Sequence, residues 1–177
     1  MMKLDKITLG GGCFWCIEAL FNQLNGVEEV LSGYSGGAMI NPNWEDVCSG
    51  LTGHAEVCEI QFDSTIIKLS ALLEVFWEVH DPTTLNRQGY DIGSQYRSVV
   101  FCENEEQIQL ALKSKEQATA NFKSPIVTEI ELRTNFYSAG SFHNSYFEVN
   151  KNQPYCQLVI SPKLSKLKTQ FPKILKK

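Results

Sequence analysis

Apolar residues recur at helical spacing at Ile17, Leu20, Phe21 and Leu24, directly after residues 6–9, which read as a short strand. Asn25-Gly26 supplies a helix stop. Residues 27–34 read as a second strand that ends in the turn-rich corner Gly33-Tyr34-Ser35-Gly36-Gly37. The polar stretch 38–53, broken by Asn41-Pro42-Asn43, predicts a loop. Alternation returns over 54–63, where Cys58, Ile60 and Phe62 share one face and Glu56 has the same parity. Ser70 stands in a capping position for a helix through Leu72, Leu73, Phe76, Trp77 and Val79, which ends at His80 before Asp81-Pro82. A second polar loop, 83–95, leads to a strand over 96–102. Asn104 caps a polar helix to about residue 121, with Glu105 and Glu106 in its first turn, where the helix dipole favours them. A last strand over 126–132 carries Ile126, Ile130 and Leu132 on one face. Beyond Asn135 the pattern predicts mostly loop, and the lysine-rich end predicts a solvated tail or a short surface helix.

The predicted order is strand, helix, strand, strand, helix, strand, helix, strand. That order fits an α+β domain of two layers, with helices packed on one mixed sheet. The expected division is a catalytic domain over 1–163 and a lysine-rich tail over 164–177. Three loops, 38–53, 83–95 and 133–156, exceed ordinary connection lengths, and long ordered loops often carry function.

A chain of 177 residues with 43% apolar content has enough material for one real core. Its formal charge of −4 gives no electrostatic case for nucleic acid. No run is long enough to cross a membrane, and residues 1–9 lack the apolar stretch of a signal peptide. Six cysteines without an export signal point to a reducing compartment, hence a cytoplasmic protein. There, catalytic or buried thiols are the default and structural disulfides are not.

The chemistry concentrates at Gly10-Gly11-Gly12-Cys13-Phe14-Trp15-Cys16. Cys13 stands where a strand hands over to a helix, a place whose free N–H groups and dipole favour a thiolate, the nucleophilic form. Three glycines before it allow close approach of another molecule. The competing reading is a buried structural cysteine, the usual fate of a free thiol. Cys13 and Cys16 form a C-x-x-C, which suits a redox pair. A zinc site would need a second pair, and Cys48, Cys58, His54, His80 and His143 are too scattered to supply one. Glu56, on the apolar face of its strand, should have a raised pKa and donate a proton near neutrality, unless the strand end curls it into solvent. Phe14 and Trp15 can wall an apolar pocket in which thioether or methyl groups pack on rings. For Asp91 and Tyr96, after Gly89, the plain readings are loop solvation and strand packing, and nothing in their spacing raises His54 or His143 above ordinary polar loop residues.

Several motifs in order carry a family resemblance: Gly12-Cys13-Phe14-Trp15, Gly33-Tyr34-Ser35-Gly36-Gly37, Gly53-His54-Ala55-Glu56, His80-Asp81-Pro82-Thr83-Thr84, Arg87 through Ser98, and Phe136-Tyr137 through His143 to Tyr155-Cys156. The chain resembles the A-type peptide methionine sulfoxide reductases from about residue 6 to residue 163. The resemblance implies a ferredoxin-like core and repair of methionine-(S)-sulfoxide, free or in proteins. In it Cys13 attacks the sulfoxide sulfur, Glu56 and Tyr96 act on the departing oxygen, and Asp91 shapes and polarises the pocket. Phe14, Trp15, Trp44 and Tyr155 are the implied substrate-binding residues, although many members carry tyrosine where Trp44 stands. Cys13 becomes a sulfenic acid, a second cysteine condenses with it, and thioredoxin reduces the disulfide. Cys16 is the favoured resolving residue because a C-x-x-C at a helix start needs little motion. Cys156 is the alternative, and the two can act in relay. The family implies no metal and no organic cofactor, and a monomer is expected.

Overall fold

In the computed structural model, which describes residues 2–177, six strands form one sheet. β1 (Leu4–Gly10) leads through α1 (Phe14–Phe21) to β2 (Val27–Ser35), and a short α2 (Trp44–Cys48) precedes β3 (Ala55–Asp63). α3 (Leu69–Val79) is followed by a small hairpin of β4 (Arg87–Gln88) and β5 (Asp91–Ile92), then β6 (Val99–Cys102), α4 (Glu105–Thr119) and β7 (Glu129–Leu132). The chain closes with β8 (Tyr137–Ser138), α5 (Tyr146–Val149), a π-helical turn over Cys156–Ile160, and α6 (Ser161–Gln170). The sheet order is β7-β6-β1-β3-β2-β8; only the β6–β7 pair is parallel. The sheet is therefore mixed, as the pattern of elements predicts.

Period-two alternation gives the sheet two different faces. Ile7, Leu9, Val30, Cys58, Ile60 and Phe62 join the main core with Phe14, Ile17, Leu20 and Phe21 of α1 and Leu72, Leu73 and Phe76 of α3. All four longer helices supply residues to that core, so helices cover this one face and complete a two-layer domain. The opposite face holds a small cluster of Ala55, Val57, Val99 and Phe101 under Phe136. There Glu59 pairs with Lys6 at 3.0 Å and with Arg133.

Some boundaries differ from the sequence pattern. Lys68, not Ser70, occupies the N-cap of α3, so Ser70 lies inside the first turn. The polar loop 38–53 contains α2, closed by a capping box: Asp46 N–H donates to Asn43 Oδ1 at 2.8 Å and Asn43 N–H to Asp46 Oδ2 at 3.0 Å. The strand expected over 96–102 is shortened because Ser94–Tyr96 winds into a 3₁₀ turn. Asn104 caps α4 as expected, its side chain accepting from Gln107 N–H at 3.0 Å. The C-terminal segment is helical and docked. α6 starts before residue 163 and buries Leu164 and Leu167, and Asn25 N–H bonds Ile174 O at 2.8 Å. Residues 164–177 thus pack against the domain and do not stand off from it as a solvated tail.

The glycine run lies over a buried polar post. His80 is fully enclosed, with Nδ1 donating to Phe76 O and Nε2 accepting from Ser98 Oγ at 2.8 Å. Ser98 Oγ in turn bonds Thr128 Oγ1 at 2.7 Å. Burial holds the imidazole pKa down to about 4, so the ring stays neutral and keeps this tautomer. A Cβ on Gly11 would come within 2.7 Å of the His80 ring, so only glycine lets the chain pass this close. Gly12 takes a φ of +87°, and its N–H bonds Tyr96 O at 3.1 Å; together these turn the chain so that Cys13 opens α1.

Candidate active site

Cys13 is the N-cap residue of α1, extended at φ −65° and ψ 132°, and its side chain makes no capping bond. The residue is 8% exposed and borders a cavity of about 590 Å³. Cys16, one turn on, borders the same cavity, with Gln88, Asp91, Tyr155 and Lys163 around it and Leu158 and Val159 as its apolar wall. The glycine-flanked thiol is therefore neither sealed in nor freely solvated.

Glu56 approaches from β3. Its parity with Cys58 and Ile60 turns it toward the helices, where it is 2% exposed. The curl into solvent is absent. Its Oε2 accepts the backbone N–H of Phe14 at 3.1 Å, so the carboxyl sits against the first residue of α1, beside Cys13. Burial raises its pKa to about 8, despite the Phe14 N–H and the Cys13 thiol, which pull it down as hydrogen-bond partners. Near neutral pH the group is mostly an acid.

The same burial reverses one expectation. The helix start favours a thiolate, yet the Cys13 thiol is pushed well above its usual range. Desolvation is the largest cause; Glu56 and Cys16 add to it, and the backbone N–H of Trp15 opposes them. The helix-end contribution is smaller than the cost of an ion in a nearly dry pocket. At rest the pair is a neutral thiol beside a neutral acid.

The other predicted residues fall around this pair at different depths. Tyr96 is half-buried beside it, and desolvation, then Glu56 and Cys13, hold its phenol protonated. Tyr155 Oη donates to Asp91 Oδ2 at 2.7 Å and lies 3.7 Å from Cys16 Sγ. Phe14 is completely buried, its ring 5.7 Å from Tyr34 and 5.2 Å from His143. Neither Phe14 nor the half-buried Trp15 lines the cavity that Cys13 and Cys16 border; both rings pack on His143 instead. Trp15 stacks on Tyr146 at 3.6 Å and donates from Nε1 to His143 Nδ1 at 3.2 Å. Trp44 opens α2 and is 45% exposed, with its ring 6.1 Å from His143. Cys156 is fully buried in the π-helical turn, outside the residues that line the cavity.

Three supporting residues are assigned no role from the sequence, although Tyr34 and His54 stand in motifs that carry the resemblance. Glu18 is buried on α1 and accepts Ser145 N–H at 2.6 Å, which fastens the loop bearing His143 and Tyr146 over Trp15. His54 fixes the loop before α2, accepting from Gly37 N–H at 3.0 Å and bonding Met39 O at 2.7 Å. Tyr34 stands directly opposite Glu56 in the β2–β3 register. Among the described residues no cluster of His, Cys, Asp and Glu could hold a metal ion, and no helix is long and apolar enough to cross a membrane.

A buried acid beside a glycine-flanked cysteine, walled by aromatic rings, suits a reaction that puts negative charge on an oxygen next to sulfur. Comparison with known proteins agrees with that chemistry. The family model described as peptide methionine sulfoxide reductase matches residues 5–175. The chain belongs to this family. A relative from Trichodesmium erythraeum, a peptide methionine sulfoxide reductase MsrA, is 52% identical over 96% of this chain and 97% of its own length. The crystal structure of Mxr1 from Saccharomyces cerevisiae in reduced form superposes with a TM-score of 0.82 at 32% identity, covering 87% of this chain and 90% of that one. Mxr1 has also been solved in complex with Trx2; that chain superposes with a TM-score of 0.58 at 27% identity, covering 77% of this chain and 81% of its own. The protein is accordingly an oxidoreductase that reduces methionine sulfoxide.

Proposed function

We propose that the enzyme reduces the S epimer of methionine sulfoxide, free or within proteins, through a sulfenic acid on Cys13. The observation that carries this reading is the buried Glu56 carboxyl, protonated near neutrality and held against Phe14 N–H beside the thiol. A sulfoxide oxygen gains charge as its bond to sulfur breaks, so an acid within reach lowers the barrier. Glu56 gives its proton to that oxygen, and Cys13 returns a proton to Glu56 as its sulfur becomes the nucleophile. Tyr96 adds a second donor. The oxygen ends on Cys13 as S–OH and methionine leaves, so the thiol is oxidised by two electrons and the sulfoxide reduced by two. Trp15, backed by Phe14, holds the methyl group. Trp44 flanks the mouth of the pocket, and Asp91 fixes Tyr155.

Cys16 then attacks the sulfenic sulfur. An S–S bond forms, the S–O bond breaks, and the hydroxyl leaves with the thiol proton as water. Cys16 shares the cavity with Cys13, whereas Cys156 lies outside its lining and acts electrostatically on Cys16. That arrangement suits Cys16 as the first resolving residue and Cys156 as a later station. A thioredoxin-type dithiol restores the enzyme by exchange, in keeping with the Mxr1–Trx2 complex of a structural relative.

Incubation with each epimer of a dabsylated methionine sulfoxide and dithiothreitol tests this reading. The S form should be consumed and the R form left. Turnover of neither, or of the R form alone, would reject it.

A further inference from the structure

Tyr34 has an unexplained hydroxyl. Its side chain is 1% exposed, and Oη is one of four buried side-chain polar atoms without a hydrogen-bond partner among the described residues. Such a group is costly, because burial removes water and nothing replaces it. A phenylalanine would fill the same space without that penalty. The orphan also sits in a telling place. Tyr34 pairs with Glu56 across β2 and β3, so the two side chains leave the sheet side by side on the helix-covered face. Its ring packs at 5.7 Å from Phe14, the residue that follows Cys13.

We propose that Tyr34 is a catalytic residue whose hydroxyl donates a hydrogen bond to the sulfoxide oxygen of the bound substrate, alongside Glu56 and Tyr96. The substrate oxygen is the partner that the protein itself does not supply to Oη. Trp44 is almost half exposed, with its ring 6.1 Å from His143, whereas the phenol of Tyr34 is buried and so provides the inner donor. Burial, with Glu56 and Cys13 close by, keeps the phenol protonated and therefore a donor. No bond to carbon, sulfur or oxygen changes at Tyr34. It stabilises the negative charge that grows on oxygen before the Glu56 proton arrives.

This inference rests on the reaction proposed above, and Tyr34→Phe separates the two. Under single-turnover conditions with dabsyl-methionine-(S)-sulfoxide, the variant should form methionine about ten- to a hundredfold more slowly than the wild type. Its melting temperature should be equal or higher, because the change removes an unsatisfied polar group. A merely structural tyrosine would give the opposite pair of results. A wild-type rate in Tyr34→Phe, with the wild-type enzyme active and Glu56→Gln slow, overturns the role of Tyr34 alone. An inactive wild type, or an unaffected Glu56→Gln, overturns the parent reaction. Should Tyr34→Phe also lose stability, the S=O stretching band of methionine sulfoxide bound to Cys13→Ser decides. Loss of the hydroxyl in Cys13→Ser/Tyr34→Phe should move the band to higher frequency, and an unmoved band rejects the hydrogen bond.

Discussion

Glu56→Gln should lower the single-turnover rate of methionine formation by about a hundredfold, with the fold intact. The amide keeps the shape and can still offer a hydrogen bond to oxygen, but it cannot give up a proton. Its effect should carry a pH signature. The acid form of Glu56 is present below its raised pKa of about 8, so the wild-type rate should be level near pH 6–7 and fall as pH rises through 8. In Glu56→Gln that fall should vanish. Stability carries the same sign. The carboxyl ionises near 4.5 when unfolded and only near 8 when folded, so the native state holds the extra proton between those values and loses stability as pH climbs from one to the other. The Gln variant should be the more stable protein at pH 8. Rapid-quench kinetics and thermal melts across this range check both statements, and an unchanged rate at pH 7 would remove the acid role from Glu56.

Cys16→Ser should have the second largest effect. Thioredoxin-dependent cycling should fall at least about tenfold below that of Cys156→Ser, while the first turnover still yields methionine. The reason is geometric. Cys13 and Cys16 border one cavity, and Cys16 Sγ lies 3.7 Å from the Tyr155 hydroxyl that Asp91 holds in place. Cys156 is enclosed in its π-helical turn and must be released before it can reach Cys13. The reverse ranking of the two variants would make Cys156 the first resolving cysteine.

The residues that the sequence makes legible are those whose role is local. The parity of Glu56 with Cys58 and Ile60 needs only the period of a strand, and the helix face is where it lies. Asn104 caps α4 through a rule that spans three residues. The box of Asn43 and Asp46 obeys the same kind of rule, yet the surrounding polarity of 38–53 hides it. The lysines around α6 likewise mask the spacing of Leu164 and Leu167, which is enough to dock that helix. The raised pKa of Cys13 is legible nowhere in its own neighbourhood, because the desolvation comes from strands and loops distant in sequence. Tyr34 meets Glu56 only because the β2–β3 register shifts between Val27 and Glu29, and a one-residue slip would turn it to the other face.

The most direct measurement of the central claim is to trap the oxygen where it lands. The Cys16→Ser/Cys156→Ser double variant, given one equivalent of methionine-(S)-sulfoxide and then dimedone, should carry one adduct on Cys13 for each methionine released. Methionine formed without a Cys13 adduct, or an adduct on Cys48, Cys58 or Cys102 in its place, would contradict it.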